Sequence, residues 1–102
     1  MEHALASLES KAGEVAALLA MLSNEKRLLM LCHIAESGEI TVGHLCDSVG
    51  LSQSALSQHL ALLRAQGIVA TRKEGVSVHY RLADPRIAAL MGSMKDIFCP
   101  TH

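Results

Sequence analysis

Apolar residues recur at spacings of three and four along the first two thirds of the chain, then give way after Gly67 to β-branched, partly alternating runs. The first pattern predicts helices and the second strands. From about Ala4 to Leu22, the residues Leu5, Leu8, Ala12, Val15, Leu19 and Leu22 form one stripe of an amphipathic helix, which Ser23-Asn24 interrupts. A second helix, from about Glu25 to Glu36, carries Leu28, Leu29, Leu31, Cys32 and Ile34, and Gly38 suits its C-cap. Apolar nearly all round, it is expected to be the central, buried helix.

Two short helices follow, and both open in the same way. Thr41 is an N-cap with Ile40 before it and Leu45 in the first turns; Ser52 is an N-cap with Leu51 before it and Leu56 in the equivalent place. Each arrangement is a hydrophobic staple. Gly50 supplies the turn between them, and a small residue at Cys46, the turn glycine and a core Leu56 make the pattern of a helix-turn-helix over residues 41–66.

The second of these helices buries leucines but presents uncharged hydrogen-bonding side chains instead of the Lys and Glu of an ordinary solvated helix. By itself such a face fits a plain Ser/Gln-rich helix as well as a base reader. The helix-turn-helix context decides for the reader, since Gln can pair with adenine edges and Ser with bases or phosphates. Gln53, Ser54, Ser57 and Gln58 are the expected DNA contacts, with His59 a further contact candidate at the boundary.

Past Gly67, the runs Ile68–Arg72 and Val76–Leu82 flank Lys73-Glu74-Gly75 and predict a β-hairpin over residues 68–82. A two-stranded hairpin needs support, so it should pack on the helices as a wing. Arg72 and Lys73 are the phosphate candidates on it. Asp84-Pro85 then opens a last helix whose stripe is Ile87, Leu90, Met91, Met94, Ile97 and Phe98. The expected fold is mainly α with a β-hairpin wing: a single winged helix-turn-helix domain over residues 1–102, in the order four helices, two strands, one helix.

Composition agrees with packed helices. Half of the 102 residues are hydrophobic, yet Tyr80 and Phe98 are the only aromatics, so the core must be Leu, Ala, Val, Ile and Met. A net charge of −1 looks wrong for a DNA binder until it is divided along the chain. Residues 1–50 are acidic, whereas residues 51–82 hold Arg64, Arg72, Lys73 and Arg81 against Glu74 alone. No apolar run is long enough to span a bilayer and no secretion signal opens the chain, so a soluble cytoplasmic protein without membrane partners is expected. Cys32, Cys46 and Cys99 are widely spaced, unlike a secreted disulfide framework. No nucleophile, base and orienting group are suggested together, and no phosphate-binding glycine loop is present, so no enzyme activity and no cofactor are expected.

The first and last helices exceed what a winged helix needs. Their apolar stripes point to a homodimer, in which two-fold symmetry would present two reading helices to successive major grooves of a near-palindromic operator in double-stranded DNA.

With these segments placed, the chain resembles the ArsR/SmtB family of small dimeric winged-helix repressors over nearly its whole length. The carrying motifs are Ser23-Asn24-Glu25-Lys26-Arg27-Leu28, Leu51 through Leu60, and Leu63-Arg64. Leu31-Cys32, Ala70-Thr71-Arg72-Lys73 and Phe98-Cys99 resemble its sulfur-responsive HlyU/BigR branch. That resemblance implies a regulator sensing reactive sulfur species or thiol oxidation through Cys32 and Cys99, with DNA affinity lowered when the two are joined by a disulfide or polysulfide.

The alternative within the family is a zinc-type, metal-responsive repressor. Of the arsenic-type three-cysteine pattern only Cys46 remains, and the last helix offers Asp84 but Arg86 nearby and no His before His102, so no metal site is expected. His33, His44 and His102 are available ligands, and Cys99-Pro100-Thr101-His102 has a spacing zinc could use, but nothing clearly converges on them. Read from its surroundings alone, Cys32 is a small core residue, Cys46 the small residue of the helix-turn-helix, and His79 a strand residue. Cys99 sits where the helix dipole disfavours a thiolate, with Lys95 one turn earlier to offset it.

Overall fold

A computed structural model describes residues 2–99. Five helices, α1 (Glu2–Leu22), α2 (Glu25–Ser37), α3 (Val42–Val49), α4 (Gln53–Ala65) and α5 (Pro85–Phe98), surround a small sheet of β1 (Ile40–Thr41), β2 (Val69–Glu74) and β3 (Ser77–Leu82). The expected caps are in place: Thr41 Oγ1 accepts from His44 N at 3.4 Å, Ser52 Oγ from Ala55 N at 3.2 Å, and Asp84 Oδ1 from Arg86 N at 2.9 Å. Asn24, expected only to interrupt the first helix, also caps α2, its Oδ1 accepting from Arg27 N at 3.0 Å.

The sheet departs from the sequence reading in two ways. It has three antiparallel strands in the order β1-β3-β2, because Ile40 pairs with Tyr80 and Thr41 with His79. The dipeptide read only as staple and cap is also a strand: both residues are β-branched, and pairing supplies the support a lone hairpin lacks. The turn is also tighter than expected. Glu74 pairs with Ser77, leaving Gly75 and Val76 as the loop, with Gly75 at φ +62 in the Gly-first pattern of a type II′ hairpin. Lys73 and Glu74 are therefore strand residues.

The core unites Met30, Leu31 and Ile34 of α2, Leu45 and Val49 of α3, Leu56, Leu60 and Leu63 of α4, Ile68 and Val69 at the start of the wing, and Ile87 and Met91 of α5. Helix α2 lies at the centre, packing on α1, α3, α5, β1 and β3. It is not buried all round, however: Leu29, Cys32 and Glu36 are exposed. Cys32 is thus not a core residue of this chain.

Helix α1 behaves differently from the rest. Of its predicted stripe only Leu22 is buried, while Leu5 and Leu8 remain 59% and 54% exposed. At the far end of α5, Ile97 and Phe98 are likewise exposed. Among the described residues, no element of the same chain covers these hydrophobic faces.

Candidate DNA-reading surface and cysteine cleft

The helix-turn-helix is held by a few contacts. Gly50 adopts φ +68 and its N–H donates to Cys46 O at 2.9 Å, a left-handed turn that favours glycine. Cys46 is half-buried against the core, as its place in the motif requires. The turn then aims α4 so that Leu56, Leu60 and Leu63 face inward and Gln53, Ser54, Ser57 and Gln58 face outward. None of these four side chains hydrogen-bonds to another group among the described residues. His59 is half-buried at the edge of that face. A groove of about 350 Å³ joins Gln53 to Val76, Ser77 and Val78 at the wing tip, so the start of α4 and the wing border one surface.

The wing cations differ from one another. Arg72 reaches across the central strand to Glu39, with Nε 2.9 Å from each carboxylate oxygen, and its NH1 lies 2.8 Å from Glu74. His79, its cross-strand partner, stands between the same carboxylates at 4.0 and 3.9 Å. The guanidinium holds Glu39 and Glu74 below the usual carboxylate range, chiefly by hydrogen bonding. Lys73 and Arg64 are exposed with no carboxylate within 4.0 Å among the described residues. Glu39 was invisible to the sequence reading, because the pair joins positions 33 residues apart.

A second site lies between α2 and α5. Leu28, Met91, Met94 and Phe98 line a cleft of about 370 Å³, and Cys32 of α2 and Cys99, the C-cap of α5, line it too. Both thiols are free and exposed. Partial burial pushes the Cys32 thiol up, and the neighbouring Cys99 adds to this. Lys95 and Glu36 also line the cleft, joined by a 3.0 Å ion pair that favours the charged lysine. Lys95 was anticipated beside Cys99; Glu36 was not, although it lies one turn beyond Cys32 on α2. Among the described residues no three His, Cys, Asp or Glu side chains gather as a metal site would need. Pro100, Thr101 and His102 of the zinc-type spacing lie outside the described residues.

A helix-turn-helix with an unengaged polar outer face on its second helix, flanked by a hairpin on the same side, defines the winged-helix class of DNA-binding proteins. Residues 24–71 match the family described as bacterial regulatory protein, arsR family. The transcriptional activator HlyU of Vibrio cholerae is 40% identical over 96% of this chain and 90% of its own length. The biofilm growth-associated repressor of Xylella fastidiosa is 42% identical over 90% of this chain and 80% of its own length. The solved structure of reduced HlyU from Vibrio cholerae superposes with a TM-score of 0.85 at 40% identity, covering 91% of this chain and 97% of that one. The chain belongs to the ArsR family of transcriptional regulators and is not an enzyme, in keeping with relatives named as regulators and repressors. No helix among the described residues is long and apolar enough to cross a membrane.

Proposed function

We propose that this chain is a dimeric, cytoplasmic DNA-binding regulator whose operator affinity falls when reactive sulfur species join Cys32 to Cys99. The observation that carries this reading is that the two cysteines, 67 positions apart in sequence, line one cleft, one from α2 and the other from the end of α5. Base contacts come from Gln53, Ser54, Ser57 and Gln58, with His59 at their edge, and phosphate contacts from the wing chiefly through Lys73, with Arg72 contributing less because its charge is shared with Glu39 and Glu74. The exposed stripe of α1 and the exposed end of α5 form the dimer interface, and two reading heads then require a near-palindromic site.

The chemistry balances without any cofactor. Two thiols and hydrogen disulfide give a protein disulfide and two hydrogen sulfides; hydrogen trisulfide gives a trisulfide bridge and two hydrogen sulfides. Either bridge ties α2, which packs on α3 of the reading head, to α5, whose end is part of the proposed interface. Only a bridge that is more stable in the free form than in the DNA-bound form lowers affinity.

Mass mapping after polysulfide treatment, paired with mobility shifts on operator DNA, tests this. Linked Cys32 and Cys99, a free Cys46 and weakened binding are expected. An unlinked pair, or a linked protein that binds as before, rejects the reading. Tight stoichiometric zinc that releases DNA would replace it with the metal-responsive one.

A further inference from the structure

We propose that Cys99 is the attacking thiol and Cys32 the resolving one, and that the ammonium of Lys95, held at the cleft by Glu36, sets that order. The inference rests on the sensor reading above and adds to it a direction and a positioning residue.

The two thiols stand in unlike surroundings. Cys32 projects from the central helix, and both its burial and Cys99 itself act against its anion. Cys99 is exposed at the end of α5, one turn after Lys95, and its N–H donates to Lys95 O at 2.8 Å. Residues four apart on a helix share a face, so the ammonium and the sulfur lie on the same side of the last turn. Cys99 is in turn one of the groups that favour the charged form of Lys95. Glu36 Oε2 holds Lys95 Nζ at 3.0 Å, from the opposite wall of the cleft.

The helix C-terminus offers Cys99 only carbonyl oxygens, whereas Lys95, shared with Glu36, places a cation on the same turn. An incoming polysulfide is itself anionic or leaves as an anion, so the same ammonium favours both partners of the first step. Among the described residues, no cation besides Lys95 lines the cleft.

The steps follow. The Cys99 thiolate attacks the internal sulfur of a hydrogen trisulfide; one S–S bond breaks, hydrosulfide leaves, and Cys99 carries –S–SH. The Cys32 thiolate then attacks the first added sulfur, and a second hydrosulfide leaves. The product is a trisulfide joining the two cysteines. The two thiols have each lost one electron to the terminal sulfurs of the reagent, and their protons end on sulfide.

The order is read on reduced full-length protein by substoichiometric iodoacetamide with peptide-level mass spectrometry, which needs no DNA and no sulfur donor. Cys99 is expected to label about tenfold faster than Cys32. Lys95→Met should slow Cys99 about threefold and leave Cys32 unchanged, Lys95→Arg should restore it, and high salt should slow Cys99 in the parent but not in Lys95→Met. With hydrogen trisulfide, Cys32→Ser should accumulate the Cys99 adduct, whereas Cys99→Ser should accumulate far less at Cys32. Faster labelling of Cys32, or a Cys99 rate indifferent to Lys95→Met, overturns the inference. The two claims fail separately: trisulfide that bridges the pair but adds first to Cys32 overturns only the order, while a pair that never bridges overturns the sensor reading beneath it.

Discussion

The contrast between Lys73 and Arg72 gives the sharpest prediction about DNA binding. They are neighbours on β2, yet Lys73 has no carboxylate within reach among the described residues and Arg72 is held by two. Each phosphate neutralised on B-DNA contributes about 0.9 to the slope of log affinity against log salt. In a two-fold dimer Lys73 acts twice, so Lys73→Ala should flatten the slope by about 1.8. Between roughly 50 and 200 mM salt, a fourfold range, the parent should then lose about twelve times more affinity than the variant. Arg72→Ala should move the slope by well under one, because its charge is already opposed by Glu39 and Glu74. Glu39→Gln with Glu74→Gln releases the guanidinium and should steepen the slope instead. Fluorescence anisotropy on labelled operator, titrated at several salt concentrations, measures all three. If Arg72→Ala flattens the slope as much as Lys73→Ala, the Arg72 pairing does not survive contact with DNA; if Lys73→Ala leaves the slope unchanged, the wing does not meet phosphate there.

Three further outcomes are expected. Ser52→Ala removes the cap of the reading helix and should cost about 1 kcal/mol in urea unfolding, while Ser52→Asp retains most of it. Asp84 is held below its ordinary range chiefly by the Arg86 side chain, so it adds stability above that range that is lost as pH falls through its folded value; Asp84→Asn, which still caps α5, should lower the neutral plateau of thermal stability and flatten the acid limb below about pH 4, so that variant and parent converge at low pH. Replacing Ile97 and Phe98 together by Ser should shift the protein toward monomer in sedimentation while leaving its helical circular dichroism intact, and an unchanged dimer would place the interface elsewhere.

Local patterns were the most legible part of the molecule. Thr41, Ser52 and Asp84 act as caps, Gly38 and Gly50 as helix stops, and Leu56, Leu60 and Leu63 as an inward stripe, because each depends on neighbours within a turn or two. Ile40-Thr41 was read as half of its role: a two-residue strand leaves no alternation to detect, and its partners Tyr80 and His79 are 40 and 38 positions away. The hairpin turn was placed too early because Lys73 and Glu74 look like loop residues, whereas the Gly75 backbone decides where the chain reverses. Of the site, the Gln and Ser face of α4 could be read from its pattern. The Arg72–Glu39 pair could not, since charge along the chain says nothing of which charges meet. Cys32 and Cys99 were paired only by resemblance, and the local reading of Cys32 as core was wrong; periodicity assigned α2 more buried surface than its neighbours cover.

The short strand β1 has a mechanical consequence. Thr41 is at once a sheet residue paired with β3 and the cap of α3, so no free linker separates the wing from the helix-turn-helix. Wing and helix-turn-helix are thus joined through a single residue at the base of one arm. In a dimer, a tilt of about 5° at the base of an arm roughly 30 Å long displaces its tip by about 3 Å, a small but decisive error against a groove repeat of about 34 Å. A regulator built in this way need not unfold or occlude its reading helix to let go of DNA; it needs only to lose its alignment with the second half-site.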